Sequence, residues 1–178
     1  KKRKDAFQDI QRAVRIVRSR ASEWNVGPRR IGVMGSSAGG HLAARVSTGF
    51  DIQTYQTVDK HDGVSCKPDF TVLLYPAYMN KGEVLSKEFT VSNEISPTLI
   101  VSAKDDKGFF TGSQIYAEAL KEAGASIRVH FFENGGHGFS LRPKEHPLST
   151  WPDLCLQWFR DKDIIEEEAK QENAPDKK

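Results

Sequence analysis

The chain contains 178 residues, the size of about one domain. Hydrophobic residues make up 38% of it and charged residues 28%, which is typical of a globular protein and not of a disordered one. The formal net charge is only +2, and no stripe of basic and aromatic residues is present, so we expect no nucleic-acid partner. No apolar run approaches the ~18 residues that cross a membrane, so we expect no membrane partner either.

The first predicted element is an amphipathic helix over residues 5–24. Its apolar residues recur every three or four positions: Ile10, Ala13, Val14, Val17, Ala21 and Trp24. The segment Asn-Val-Gly-Pro at 25–28 then ends the helix. A short apolar strand is predicted over 31–34, and a second helix over 39–48 follows a turn of small residues.

The rest of the chain alternates apolar strands with helices, after a long loop predicted over 49–68. The predicted elements are strands over 70–75, 98–103 and 127–132 and helices over 112–123 and 150–160, with a mixed polar segment at 77–96. Continuous apolar runs are typical of strands that are buried on both faces. The pattern therefore predicts the α/β class, with a mostly parallel sheet and helices on both faces.

A serine lies among glycines where the first strand gives way to the second helix. Residues 35–39, Gly-Ser-Ser-Ala-Gly, match Gly-x-Ser-x-Gly with Ser37 at the centre. A sharp turn between a strand and a helix is the context in which such a serine acts as a nucleophile. We expect the glycines on either side of Ser37 to let strand and helix pack closely. A phosphate-binding turn is the alternative, but neither GxGxxG nor a Gly-Lys-Ser/Thr ending is present.

Acidic residues and a histidine follow two later strands. Asp105 and Asp106 come just after the strand over 98–103, and His137 lies in the glycine-rich loop after the strand over 127–132. The carboxyl ends of parallel strands meet at one edge of a sheet, which is where ligands bind. Because a serine hydroxyl needs a base that a third group orients, this combination indicates nucleophilic catalysis.

The order serine, acid, histidine is that of the α/β-hydrolases. The chain resembles the C-terminal part of an α/β-hydrolase serine esterase, in the group of acetyl-xylan esterases, feruloyl-esterase-like enzymes and dienelactone hydrolases. The stretches that carry the resemblance are VRSRASEWNVGPRRIGVMGSSAGGHLA, SPTLIVSAKDD, ALKEAGASIRVHFFENGGHGFSL and WPDLCLQWF. The serine turn and the Gly-Gly-His-Gly-Phe loop are specific to the superfamily, and they do not define a substrate.

The resemblance implies a catalytic triad. Ser37 would be the nucleophile and His137 the general base and then acid, while an aspartate orients the imidazole. Asp106 occupies the fifth position of the segment 102–106, where the family has its acid, and Asp105 would then be a turn residue. The N–H of Ala38 and a second donor would form the oxyanion hole. Such a hydrolase forms an acyl-enzyme and uses no metal and no cofactor. We expect its substrates to be small-molecule or oligosaccharide esters of short acyl groups, such as acetylated carbohydrates.

Four aromatic residues are candidates for the substrate pocket, with core packing as the alternative: Tyr78, Phe109, Phe139 and Trp151. Structural roles are expected for the other histidines: His41, His61, His130 and His146. Cys66 and Cys155 lie in no metal-binding spacing, and two free thiols are favoured over a disulfide.

The sequence leaves two alternative functions open. A serine peptidase of the prolyl-oligopeptidase type would need a large recognition domain upstream. A hydrolase fold that binds without catalysis usually lacks a member of the triad, whereas candidates for all three are present here. The resemblance allows an extracellular or periplasmic location, although KKRKDAFQDI contains no secretory signal.

The expected domain organisation is one incomplete catalytic domain, over residues 1–162, and a charged, frayed tail over 163–178. A complete α/β-hydrolase has strands before the one that carries the serine, and an early loop supplies the second oxyanion donor. Only one predicted helix precedes that strand here, and an open edge of the sheet would be costly. We therefore expect an upstream segment of the same polypeptide, on the order of 70–100 residues, as a partner.

Overall fold

A computed structural model of the chain describes residues 2–139, 141 and 147–166. In chain order, its elements are α1 (Lys2–Ser19), β1 (Val33–Ser36), α2 (Ala38–Thr48), β2 (Thr71–Leu74), β3 (Asn80–Lys81), β4 (Val84–Leu85), β5 (Thr98–Ala103), α3 (Phe110–Glu122), β6 (Ile127–Phe132) and α4 (Trp151–Asp161), with short 3₁₀-helices at Lys60–Gly63 and Pro147–Thr150. Within the described part of the chain, the helices lack the combination of length and hydrophobicity that a membrane crossing requires.

Four strands form one sheet in the order β1-β2-β5-β6, and all three neighbouring pairs are parallel. Every residue of β5 is buried, since this strand has a neighbour on each side. Because the strands are parallel, the loops that follow them leave from the same edge of the sheet. The predicted α/β class and parallel sheet are confirmed, and β5 and β6 have the predicted bounds.

Helices cover both faces of the sheet, as predicted. Leu73 and Ile100 point to one face and pack in a core cluster with residues of α1, α2 and α3. Val72 and Leu99 point to the other face and pack with residues of α4. The two cysteines belong to different clusters, Cys66 to the first and Cys155 to the second, and both are free thiols.

The first helix is shorter than predicted, and the first strand starts later. Helix α1 ends at Ser19, and Trp24 is 45% exposed in the turns that follow. The apolar period predicted that Trp24 lies on the buried face of the helix. Instead, the Arg20 guanidinium lies 4.9 Å from the centre of the Trp24 ring, and this cation–π contact packs the ring at the surface. Strand β1 begins at Val33 and ends at Ser36, which brings the sheet up to the serine turn itself.

Strand β1 is one of the two outer strands of the sheet in the described residues, β6 being the other, and its Met34 side chain is 52% exposed. The expected upstream segment stays a prediction. Of the expected tail, residues 163–166 follow α4 as a turn and irregular chain, whereas residues 167–178 lie outside the described residues.

The predicted loop over 49–68 is fastened to α1 by a polar cluster around Asp62. Its carboxylate accepts hydrogen bonds from the Tyr55 hydroxyl at 2.6 Å and the Val58 N–H at 2.8 Å, and it pairs with the Arg12 guanidinium at 2.8 Å. These three donors, the Tyr55 hydroxyl foremost, hold the pKa of the Asp62 carboxyl well below its usual range.

We expect Asp62→Asn to lower the free energy of unfolding at pH 7 but much less at strongly acidic pH. Since the folded-state pKa of Asp62 is depressed, its stabilising effect is present above the unfolded pKa of about 4 and is lost as the pH falls further. Urea unfolding from pH 7 down to pH 2 measures this difference. Asp9→Asn, at an exposed position of α1, is the control, and we expect it to change the free energy of unfolding at pH 7 by less than about 0.5 kcal/mol. A loss of unfolding free energy in Asp62→Asn that is the same at pH 7 and at pH 2 would contradict the account.

Candidate active site

Ser37 forms the turn between β1 and α2. Its backbone has φ 52° and ψ −121°, a strained conformation for a residue with a side chain. The Ser37 N–H extends the sheet by donating to the Leu74 carbonyl at 3.0 Å, and the Ser37 carbonyl accepts from the N–H groups of His41 and Ala77 at 3.1 and 3.0 Å. These bonds fix the strained turn, which presents the hydroxyl above the carboxyl edge of the sheet.

Strand and helix approach each other most closely at Gly35 and Gly40. A Cβ on Gly35 would lie 2.1 Å from the Gly39 carbonyl oxygen, and one on Gly40 would lie 2.9 Å from Cβ of Pro76. A Cβ on Gly39 would meet nothing within 4 Å. The expectation that close packing requires both glycines flanking Ser37 is therefore correct for Gly35 and wrong for Gly39, and Gly40 is the second glycine that the packing requires.

The serine, the histidine and one aspartate form a continuous hydrogen-bonded chain. Ser37 Oγ lies 2.8 Å from His137 Nε2, and His137 Nδ1 lies 2.7 Å from Asp106 Oδ2. The Asp106 side chain is 4% exposed and that of His137 is 32% exposed, so the acid is buried while the base reaches the surface. A carboxylate on Nδ1 leaves Nε2 as the nitrogen that accepts the serine proton.

Asp106 is held in place by its own backbone. Its N–H donates to the Ala103 carbonyl at 3.1 Å, and its carbonyl accepts from the N–H groups of Phe109 and Phe110 at 3.2 and 2.9 Å. The aspartate is thus fixed between the end of β5 and the start of α3. Asp105 precedes it in the chain, and its carboxylate accepts from the N–H groups of Gly135 and Gly136.

Aromatic rings surround the imidazole of His137. The Tyr75 ring lies edge-on to it at 5.0 Å, and the Phe109 ring lies at 4.7 Å, between centroids. Tyr78 packs against Phe109 at 5.5 Å and is 47% exposed. Phe109 therefore lies beside the histidine and Tyr78 beside Phe109, while their role in a substrate pocket stays a prediction. The contribution of Tyr75 was not predicted, because the run over 70–75 indicated only a buried strand.

Two of the predicted pocket residues lie in the core instead. Phe139 is 2% exposed and packs on Tyr75 at 4.4 Å, behind the histidine. Trp151 is 6% exposed and belongs to the cluster between the sheet and α4. The prediction that they line a substrate pocket is therefore corrected: both side chains belong to the buried cluster that also contains Trp158.

A cavity of about 340 Å³ adjoins the serine on the side of α2. Its lining includes Ala38, Tyr78, His41 and Arg45. Ala38 is the first residue of α2, so its N–H is one of the first-turn amides with no acceptor inside the helix. This free amide and the positive end of the helix dipole favour negative charge beside the serine.

The remaining histidines have other surroundings. His41 is 5% exposed, and its Nε2 lies 3.0 Å from the Glu88 carboxylate. His61 bonds the Ser19 hydroxyl, and His130 lies within β6, whereas His146 is outside the described residues. No group of three or more His, Cys, Asp or Glu residues suited to a metal ion occurs in the described ranges.

Comparisons with known proteins agree with the fold. The BD-FAE family model matches residues 2–74. An acetylxylan esterase of Xylanibacter ruminicola is 28% identical over 159 residues, which are 75% of this chain. The crystal structure of the acetyl ester-xyloside bifunctional hydrolase of Caldicellulosiruptor lactoaceticus superposes with a TM-score of 0.79, at 32% identity and over 90% of this chain. The chain has the α/β-hydrolase fold.

Other solved structures with this fold are esterases. Esterase 2 of Thermogutta terrifontis, in a structure phosphorylated by paraoxon, has the same fold, with a TM-score of 0.78 at 22% identity over 93% of this chain. This chain spans 31% of the length of the acetylxylan esterase and 66% of the length of each of the two solved structures.

Gly35→Ala and Gly39→Ala make a matched pair that tests the packing of the serine turn. We expect Gly35→Ala to lower the free energy of unfolding by about 2–3 kcal/mol, because its Cβ would overlap the backbone at Gly39. Gly39→Ala should leave stability equal or raise it by roughly 0.5–1 kcal/mol, since alanine favours helix. Urea unfolding of both variants measures this, and equal losses would contradict the assigned packing.

Asp106→Asn should reduce kcat for ester hydrolysis by roughly ten-thousand-fold. An amide in place of the carboxylate favours the wrong imidazole tautomer while it preserves the shape of the side chain. Asp105→Asn should be far milder, because the Asp105 carboxylate accepts hydrogen bonds from the backbone N–H groups of Gly135 and Gly136. Steady-state kinetics of the two variants give the ranking, and the reverse order would assign the triad position to Asp105.

Proposed function

We propose that the protein is a serine carboxylic-ester hydrolase. The observation that carries this proposal is the hydrogen-bonded chain from Ser37 through His137 to Asp106, with distances of 2.8 and 2.7 Å. These distances lie within the range that proton transfer requires. The strained turn at Ser37 supports the same function, because strain of this kind concentrates at active sites. A hydrolase fold that only binds ligands would have no need of this alignment.

The reaction begins when Ser37 Oγ attacks the ester carbonyl carbon. His137 Nε2 takes the hydroxyl proton, and the imidazolium that results is stabilised by the Asp106 carboxylate. The N–H of Ala38, at the first position of α2, donates to the developing oxyanion together with a second donor. His137 then gives its proton to the departing alkoxide, which leaves as the alcohol, and Ser37 remains acylated.

Water completes the cycle by the same route. His137 removes a proton from a water molecule, and the hydroxide attacks the acyl carbonyl. The tetrahedral intermediate collapses, its electrons expel Ser37 Oγ, and the proton returns from His137 to the serine. The acid is released, and the enzyme regains its starting state.

Short acyl esters, such as acetylated carbohydrates, are the substrates we propose. Two relatives support this class: one is named acetylxylan esterase and the other is an acetyl ester-xyloside bifunctional hydrolase. The half-exposed ring of Tyr78, next to Phe109, provides an aromatic surface beside the nucleophile that suits the apolar face of a sugar.

Ser37→Ala should abolish ester hydrolysis while the protein stays folded. Losing the attacking group of a triad costs several powers of ten in rate, on the order of a million-fold in kcat. The measurement is the initial rate of p-nitrophenyl acetate hydrolysis, with circular dichroism as the test of folding. Ser36→Ala is the control, because Ser36 is the exposed neighbour of Ser37. Its hydrolysis rate should stay within about a factor of three of that of the parent protein. Retention of more than a few per cent of activity in Ser37→Ala would exclude Ser37 as the nucleophile.

A further inference from the structure

The backbone of the loop that carries His137 is rich in glycine. Three of its glycines have positive φ: Gly135 at 149°, Gly136 at 62° and Gly138 at 77°. A Cβ placed on Gly136 or on Gly138 would meet nothing within 4 Å. Glycines in open surroundings give a backbone many accessible conformations. Hydrogen bonds therefore have to select the one conformation in which the imidazole reaches both Ser37 and Asp106.

Asp105 makes two such bonds to the loop directly before the histidine. Its Oδ2 accepts from the Gly135 N–H at 3.1 Å, and its Oδ1 accepts from the Gly136 N–H at 2.8 Å. Each oxygen of the carboxylate thus holds one of two successive amides. Hydrogen bonds to a charged acceptor are stronger than those between neutral groups. The neighbouring carboxylates have different tasks: Asp106 bonds the ring, and Asp105 bonds the backbone that carries the ring.

We propose that Asp105 is a positioning residue, which holds the Gly135–Gly136 backbone so that His137 Nε2 stays within hydrogen-bond reach of Ser37 Oγ. The proposal deepens the function given above and rests on it. A catalytic group displaced by about 1 Å costs on the order of a hundred-fold in rate. Without Asp105, the Gly135 and Gly136 amides would lose these two bonds, and the aligned state would be one among several.

A lysine–glutamate pair close to Asp105 and the glycine loop provides a control for the changes at Asp105. Lys104 Nζ pairs with the Glu133 carboxylate, so a second contact joins the loop after β5 to the loop after β6. The Glu133 side chain is 75% exposed, and a surface pair of this kind contributes little. Glu133→Gln therefore removes a nearby negative charge without touching the glycine amides, which makes it a matched control for changes at Asp105.

The kinetic test uses Asp105→Ala and Asp105→Asn with p-nitrophenyl acetate. We expect Asp105→Ala to lower kcat by roughly 10- to 100-fold, with KM within about two-fold, because a smaller fraction of the enzyme has an aligned histidine. Asp105→Asn keeps one acceptor oxygen, so its kcat should lie between that of Asp105→Ala and that of the parent protein. Glu133→Gln should keep kcat and KM. Thermal unfolding of each variant separates this effect from a general loss of fold.

Two NMR measurements test the proposal without relying on turnover. Amide exchange at Gly135 and Gly136 should become faster in Asp105→Ala and stay slow in Glu133→Gln. The far-downfield resonance of the proton between His137 Nδ1 and Asp106 should broaden or disappear in Asp105→Ala alone. Unchanged kcat with an unchanged resonance in Asp105→Ala would overturn the proposal. If the parent protein hydrolyses no ester, the proposed function fails, while the resonance still decides whether Asp105 positions the histidine.

Discussion

The parallel direction of the four strands is the constraint on which the site depends. Strands β1, β5 and β6 end at the same edge of the sheet, and the loops that leave this edge carry Ser37, Asp106 and His137. Residues that are up to 100 positions apart in the chain thereby come within hydrogen-bond distance. Core packing on both faces of the sheet keeps the strands in register. The buried strands β2 and β5 therefore help to hold the three side chains at their observed distances.

Each of the three groups is held in place by a different physical means. Ser37 depends on a strained backbone conformation, which the approach of Gly35 and Gly40 to their neighbours permits. Asp106 is buried and tied by its own backbone to the start of α3. His137 lies on a glycine-rich loop, between aromatic rings and next to the amides that Asp105 binds. The histidine is thus the member of the triad whose position depends most on hydrogen bonds.

The sequence predicted the parts of the structure that follow from periodicity and from motifs. Strands β5 and β6 are as predicted, because apolar runs depend on local chemistry. Ser37, His137 and Asp106 lie within hydrogen-bond distance of one another, while their catalytic roles stay a prediction. Trp24 was misplaced, since an apolar ring packs equally well on an arginine or in a core. Trp151 packs in the core, which was the alternative to a pocket. The role of the Asp105 side chain could not be predicted either, because an aspartate in a turn is common and the N–H groups that donate to it lie 30 and 31 residues away. The only signal was the presence of two adjacent aspartates where one was needed.

The central claim is that Ser37 is a nucleophile that His137 activates. The most direct test is covalent labelling with an organophosphate that phosphorylates activated serines, followed by peptide mass spectrometry. We predict one phosphoryl group per chain, on the peptide that contains Ser37, and a large loss of labelling when His137 is replaced by alanine. Labelling of another residue, or labelling of Ser37 that does not depend on His137, would contradict the account.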